Sequence, residues 1–535
     1  MREEHLDAVI DLNTQARFYE SQGKYIQAEP LYQQALAICE QEGPEHPDTA
    51  TILNNLANLY WKQGKYEEAE PLFRRALMIY EQQLGPTHPD TAASLHNLAL
   101  LFESQGKYTE AEPLLKRVLE VYEQQLGSEH LATATNLNSL ASLYECQGRY
   151  AEAESFFQQA LAIREQQLGP QHPDTATSLH GLASLYQRQG KYTEAELSFR
   201  RALTIREQQL GLQHPNTAAS LHNLTGLYRS QGKYAEAEPL YQKVLAVCEQ
   251  QLGPEHPDTA ASLGNLAVLY KDQGKYAKAE PLFQRALAIC EKQLGPEHPH
   301  TATSLNNLAL LYQKQGNYEE AELLFRRALT IYEQQLGPEH PNVVASLGNL
   351  ASLYRNQRKY AEAEPFFQRA LVICEQRLGP QHSWTATSLN NLAELYRGQG
   401  KYAEAEPLYQ RALAISEQKL GPTHPDTAAG LNNLALLYRS QGKYEEAEPL
   451  HQRALAIRER VLGPEHPDTA TSLHNLAVLY HMQNNYQKAE PLYQRALAIR
   501  RRALGSEHPG TQVVQANYAA LLQRKQPGEG RSESS

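Results

Sequence analysis

Apolar residues recur along this chain with the period of a helix, and the pattern is clearest over residues 295–336. There Leu305, Leu308, Ala309 and Tyr312 fall at i, i+3, i+4 and i+7, which lines one face of a helix. Gln315-Gly316-Asn317 interrupts the pattern, and a second stripe follows with Ala321, Leu324, Phe325, Ala328, Leu329 and Ile331. It ends at Leu336-Gly337, where glycine can take a left-handed cap. The stretch predicts two helices, a tight turn between them and a Gly-Pro-x-His-Pro connector to the next pair.

The same pattern is written along the whole chain. The connector glycine returns every 42 residues from Gly43 to Gly505 without an insertion, and only the first repeat is one residue short. A fixed period of this size marks a solenoid, in which each unit touches only its neighbours. The expected fold is all-α: a right-handed α-solenoid of tandem helical hairpins. Residues 1–42 form a capping hairpin, 43–504 the array, and 505–525 a capping helix. The tail 526–535, without a large apolar residue, is expected to be disordered. Gln15, where later copies have Leu56 or Leu98, suits a helix with no repeat stacked in front of it.

Departures from the repeat predict local strain. Leu131 replaces a connector proline, and Ser139 and Gly181 replace a recurrent asparagine, so irregular stacking is expected near repeats four and five. Arg358 and Asn484 stand where other copies place the inter-helix glycine. If that turn needs positive φ, Asn is tolerated and Arg costs about 1 kcal/mol or more.

Leu308-Ala309, Tyr312, Gly316, Tyr318, Ala321, Phe325 and Ala328 sit at the signature spacing of the tetratricopeptide repeat, and the chain resembles that family over about residues 8–525. The usual unit has about 34 residues. The longer unit here, with LNNLA, YxEAE, RAL and LGPxHPD, is similar to the kinesin light chain form. The resemblance implies an array that binds protein or peptide segments on its concave side. A kinesin subunit proper is not expected, because that family places a heptad coiled coil before its repeats and this chain starts directly in the array. A second reading makes the array the sensor arm of a separate signalling ATPase, since bacterial arrays of this type are often fused to such domains.

A net charge of −11 argues against nucleic acid as a partner. No apolar run suits a membrane span or a secretory signal, so a soluble, cytoplasmic protein is expected. Cys39, Cys248, Cys290 and Cys374 share one repeat position, and copies a hairpin apart are too distant for a disulfide; packing is the expected role. No phosphate-binding loop, His-Glu-x-x-His or Cys-x-x-Cys motif occurs. The twelve connector histidines, His46 to His508, are spaced a whole unit apart, which suits a turn rather than a metal site. Neither an enzyme activity nor a cofactor is expected, and the oligomeric state stays open.

What remains is a surface. In the first helix of the repeat, the arc opposite the buried stripe holds Thr303, Asn306, Leu310, Gln313 and Lys314, with Asn307 at its edge. The counterparts Asn223, Asn265, Asn307, Asn349, Asn391, Asn433 and Asn475 form an unbroken series. An amide that donates and accepts together can pair with the backbone of an extended peptide whatever its sequence. The resemblance to kinesin light chains implies the same use. The other reading is that each Asn bonds the neighbouring hairpin's turn. Three residues before the inter-helix glycine, Glu20, Glu103 and Glu145 give way to Arg229, Lys271, Arg355, Arg397 and Arg439. Together the two series predict a groove over repeats six to eleven that favours an extended segment with acidic side chains; the alternative is a solvated edge of drifting charge.

Overall fold

The computed structural model describes residues 2–21, 25–211 and 214–525; Gly23 and the tail 526–535 lie outside the described residues. Among those described there are twenty-five helices and no strand: twelve hairpins and a last lone helix, Pro509–Lys525. Hairpin 8 has a first helix Pro299–Gln315, one residue longer than the 16 of its neighbours, and a second Tyr318–Leu336.

Each first helix begins the same way for a chemical reason. The connector histidine precedes it in extended conformation, and its Nδ1 accepts the N–H two residues on at 3.0–3.3 Å, from His46 through His508. Proline usually occupies the first helical position, where its missing N–H is no loss. The following threonine, such as Thr301, donates to the connector glycine's carbonyl at 2.8 Å. These bonds satisfy helix-end groups that would otherwise be unpaired.

The core is densest within each hairpin and runs on without a break into the next. Ala302, Ala309, Ala321 and Ala328 are fully buried, and these small residues let helices approach closely around Phe325, also fully buried. The shared cysteine position is buried too; all five cysteines are free thiols, and Cys248, Cys290 and Cys374 contact serine hydroxyls. In other copies the position holds a buried arginine, such as Arg164, which donates to Ser178 Oγ and the Asp174 carbonyl.

Two sequence expectations are corrected. Asn306 does not lie on an exposed arc: it is buried, and its Nδ2 donates to Ser346 Oγ of the next hairpin at 2.8 Å. A helix inside a solenoid is covered by hairpins on both sides as well as by its own partner, so its buried arc is wider than a two-layer reading allows. Stacking at repeats four and five is also regular. Leu131 still opens a helix capped by His130, Ser139 bonds His96 as an asparagine would, and the Phe157 ring occupies the space beside Gly181, 2.3 Å from where a Cβ would stand. The irregularity falls elsewhere: the second helix of hairpin 9 ends in a π turn, Cys374–Leu378.

The inter-helix turn does require positive φ, with Arg358 at 61° and Asn484 at 58° among glycines at 68–87°. The hairpins then coil back on themselves. His298 Nε2 lies 3.0 Å from the Lys62 carbonyl, 236 residues earlier, and the offset repeats for His340, His382, His424 and His466. The contact joins hairpin 8 to hairpin 2, so one turn of the coil takes about six hairpins.

Candidate ligand track on the first helices

The asparagine series sits on the first helices, two residues past a buried leucine, and every member from Asn223 to Asn475 is half-buried. The series divides by what stands 43 residues earlier. Asn223 Nδ2 donates to His180 Nε2 at 2.8 Å, and Asn265 Nδ2 to His222 Nε2 at 3.4 Å. Asn55 and Asn517 do the same to Asn13 and His474. Burial pushes the imidazoles of His180 and His474 down to about 4, which keeps them neutral acceptors.

Asn307, Asn349, Asn391, Asn433 and Asn475 make no side-chain hydrogen bond among the described residues. The partner position is empty or engaged. Gly264 and Gly348 precede Asn307 and Asn391 and offer no side chain. Asn306 precedes Asn349 but bonds Ser346; Asn432 precedes Asn475 but bonds Ser472 and His451. Asn390 precedes Asn433, and its Oδ1 is itself buried without a partner. Five consecutive hairpins therefore present half-buried amides without an intramolecular side-chain partner among the described residues.

Where Gly348 leaves room, a cavity of about 380 Å³ opens between hairpins 9 and 10, lined by Asn349, Ser352, Phe367, Trp384 and Asn391. A Cβ on Gly348 would meet nothing within 4 Å. Trp384, 37% exposed, forms part of this wall. A second cleft, about 760 Å³, holds Asn391 and Asn433 together with Tyr150, Gln187, Arg188 and Tyr192 of the preceding turn. Sequence reasoning missed that juxtaposition, because nothing in the repeat spacing reports the pitch of the coil.

The basic series is mixed. Arg229 Nη1 lies 3.5 Å from Asp272 Oδ2, and Lys271 Nζ 4.0 Å from Asp272 Oδ1. Arg397 binds Glu394 at 2.6 Å, and Tyr409 donates to the same carboxylate. Arg355 and Arg439 make no ion pair among the described residues. Burial pushes the Lys271 ammonium and the Arg439 guanidinium down. At the acidic end, Glu20 pairs with Lys62 and Glu145 with Arg188, while burial, then the neighbouring Glu145, pushes Glu103 up to about 7. The series thus holds two ion-paired glutamates and the raised Glu103 at one end, and Arg355 and Arg439 without an ion pair among the described residues further along.

The last carboxylate of the YxEAE segment works both within and between hairpins. Glu322 pairs with Arg326 one helical turn on at 2.9 Å, and also accepts from Tyr354 of the next hairpin at 2.6 Å. These carboxylates are struts between hairpins. Among the described residues, no group of three or more His, Cys, Asp or Glu stands close enough to hold a metal ion, and no helix is long and apolar enough to cross a membrane.

Stacked two-helix units with buried alanines and a half-open face define an α-solenoid interaction scaffold. A tetratricopeptide repeat profile matches eleven overlapping stretches, from 7–82 to 426–502, and the chain belongs to that family. Such arrays bind protein partners and are generally non-catalytic. Among solved structures, a Podosopora anserina putative kinesin light chain with nearly identical TPR-like repeats is 31% identical over 38% of this chain and 98% of its own, with a TM-score of 0.33. BtubC (BKLC) from P. vanneervenii is 25% identical over 50% and 96%, TM-score 0.33, and yeast Tom70 is 18% identical over 97% and 96%, TM-score 0.45. A search of curated proteins finds no match.

Proposed function

We propose that this scaffold captures an extended peptide segment with acidic side chains along the first helices of hairpins 8–12, without catalysing a reaction. The single observation that carries the reading is the run of five amides, Asn307 to Asn475, left without an intramolecular partner while their counterparts at Asn223 and Asn265 are bonded. An amide has both a donor and an acceptor to offer a peptide backbone. Hairpins spaced roughly 8–10 Å apart match about three extended residues per rung. The unpaired Arg355 and Arg439 favour carboxylates on the bound segment. Asn223, Asn265, Arg229, Lys271 and Arg397 remain part of the proposed groove, but each already has a partner in the chain and contributes less.

The test is a panel of fluorescein-labelled extended peptides, with and without acidic residues, titrated against the wild type and the triple variant Asn349→Ala, Asn391→Ala, Asn433→Ala. Three bonds at about 1 kcal/mol each correspond to roughly a hundredfold loss of affinity. Unchanged affinity in a variant with intact helicity would remove the asparagine track from the reading.

A further inference from the structure

The edge contacts of the coil are built from two complementary halves. The connector histidine uses both ring nitrogens: Nδ1 accepts the N–H of the residue two on, and Nε2 donates to the last carbonyl of a first helix one turn back, at 2.7–3.0 Å for His298, His340, His382, His424 and His466. These carbonyls, Lys62, Ser104, Cys146, Arg188 and Ser230, end helices and have no partner inside them.

The other half is the glycine that follows. A Cβ at Gly64 would lie 2.5 Å from Pro299 Cδ, at Gly106 2.7 Å from Pro341, at Gly232 2.5 Å from Pro467, and at Gly274 2.9 Å from His508. In hairpins 8–12 no later turn covers this edge, and Gly316, Gly400 and Gly442 have nothing within 4 Å. Arg358 and Asn484, the two described replacements of this glycine, both fall in that uncovered stretch. Glycine is retained where the turns touch and is lost only where they do not.

The contact is looser at one place. Ser383 replaces the connector proline, Gly148 has only a 3.9 Å neighbour, and the 760 Å³ cleft opens there with Tyr150 and Tyr192 facing Trp384, Asn391 and Asn433. A segment seated on Asn391 and Asn433 would touch both turns at once.

We propose that the edge contacts form a separable seam that holds the solenoid in a closed coil, and that a peptide bound at Asn391 and Asn433 strengthens this closure by bridging to Tyr150 and Tyr192 across the cleft. The second half of this inference rests on the peptide-binding function proposed above. By linkage, whatever binds only the closed coil is bound more weakly when the coil is opened.

Small-angle scattering tests the seam without any ligand. Gly64→Ala with Gly232→Ala adds the same left-handed strain as Gly400→Ala with Gly442→Ala, but only the first pair wedges the turns apart. The first pair should increase the radius of gyration with helicity unchanged, and the second should not. His340→Asn with His466→Asn, which keeps a helix-capping oxygen and removes the Nε2 donor, gives the same expansion should the glycine variants misfold. Titration of the tightest-binding labelled acidic peptide should then show a loss of fivefold or more in the opened variants alone. Identical scattering from all variants overturns the seam. Expansion with unchanged peptide affinity overturns the coupling and leaves the peptide-binding function standing. A wild type that binds none of the peptides overturns that function and the coupling with it, while the scattering result still decides the seam.

Discussion

Asn223 and Asn391 occupy the same position of the repeat, four hairpins apart, and do different things. Asn223 donates to His180 in the hairpin before it, whereas Asn391 looks back on Gly348 and is left unbonded beside an open cavity. The histidines show the same division. His130 and His382 cap their helices alike, but only His382 reaches a carbonyl one turn away. In a repeat protein the role of a residue is set by which copy stands next to it, first along the stack and then across the coil.

Acid should have the largest effect on this division. Burial, then the neighbouring His300, pushes His298 down to about 4, against a weaker opposing influence of its bond to the Lys62 carbonyl. A histidine whose pKa falls on closure is neutral in both states above about 6.5. As pH drops from there toward 4, the open state binds protons first, so closure weakens across that window. Burial likewise lowers His340, His382 and His466. Scattering recorded from pH 7 to 4.5 should show expansion before helicity is lost, and expansion in the His340→Asn, His466→Asn variant should be complete at higher pH.

Asparagine substitutions should separate the two halves of the series by a smaller amount. Asn223→Ala removes a hydrogen bond to a half-buried imidazole and should lower stability by about 1 kcal/mol. Asn307→Ala removes nothing inside the chain and should stay within about 0.5 kcal/mol. Thermal and denaturant unfolding would compare them; equal losses would mean that Asn307 is bonded in solution. The smallest effects belong to the uncovered edge. Arg358→Gly should stabilise by about 1 kcal/mol through relief of left-handed strain, and Asn484→Gly by only a few tenths, because Asn tolerates that conformation. A loss of stability in Arg358→Gly would show that the arginine makes a contact worth more than its strain.

Much of the architecture was legible from the residues. The i, i+3, i+4, i+7 stripe of Leu305 to Tyr312, the break at Gly316 and the His-Pro connector each report a local preference, and each lies where the pattern puts it. The need for positive φ at Arg358 and Asn484 was readable for the same reason. Asn306 was misplaced because a single amphipathic stripe does not count the two neighbouring hairpins that also cover a helix. The expected disturbance at Leu131 and Ser139 did not form because His96 and the capping His130 supply the missing contacts, and the π turn at Cys374–Leu378 carries no signal in the repeat.

The chain by itself determined the hairpin, its caps, its period and the identity of each copy, because these depend on backbone propensity and on apolar spacing within one unit. The tertiary structure decided how many hairpins complete a turn, and with that which histidines find a carbonyl, which glycines are crowded and which asparagines are left open. Those outcomes rest on small rotations between successive hairpins, summed over 236 residues, and no local pattern encodes such a sum.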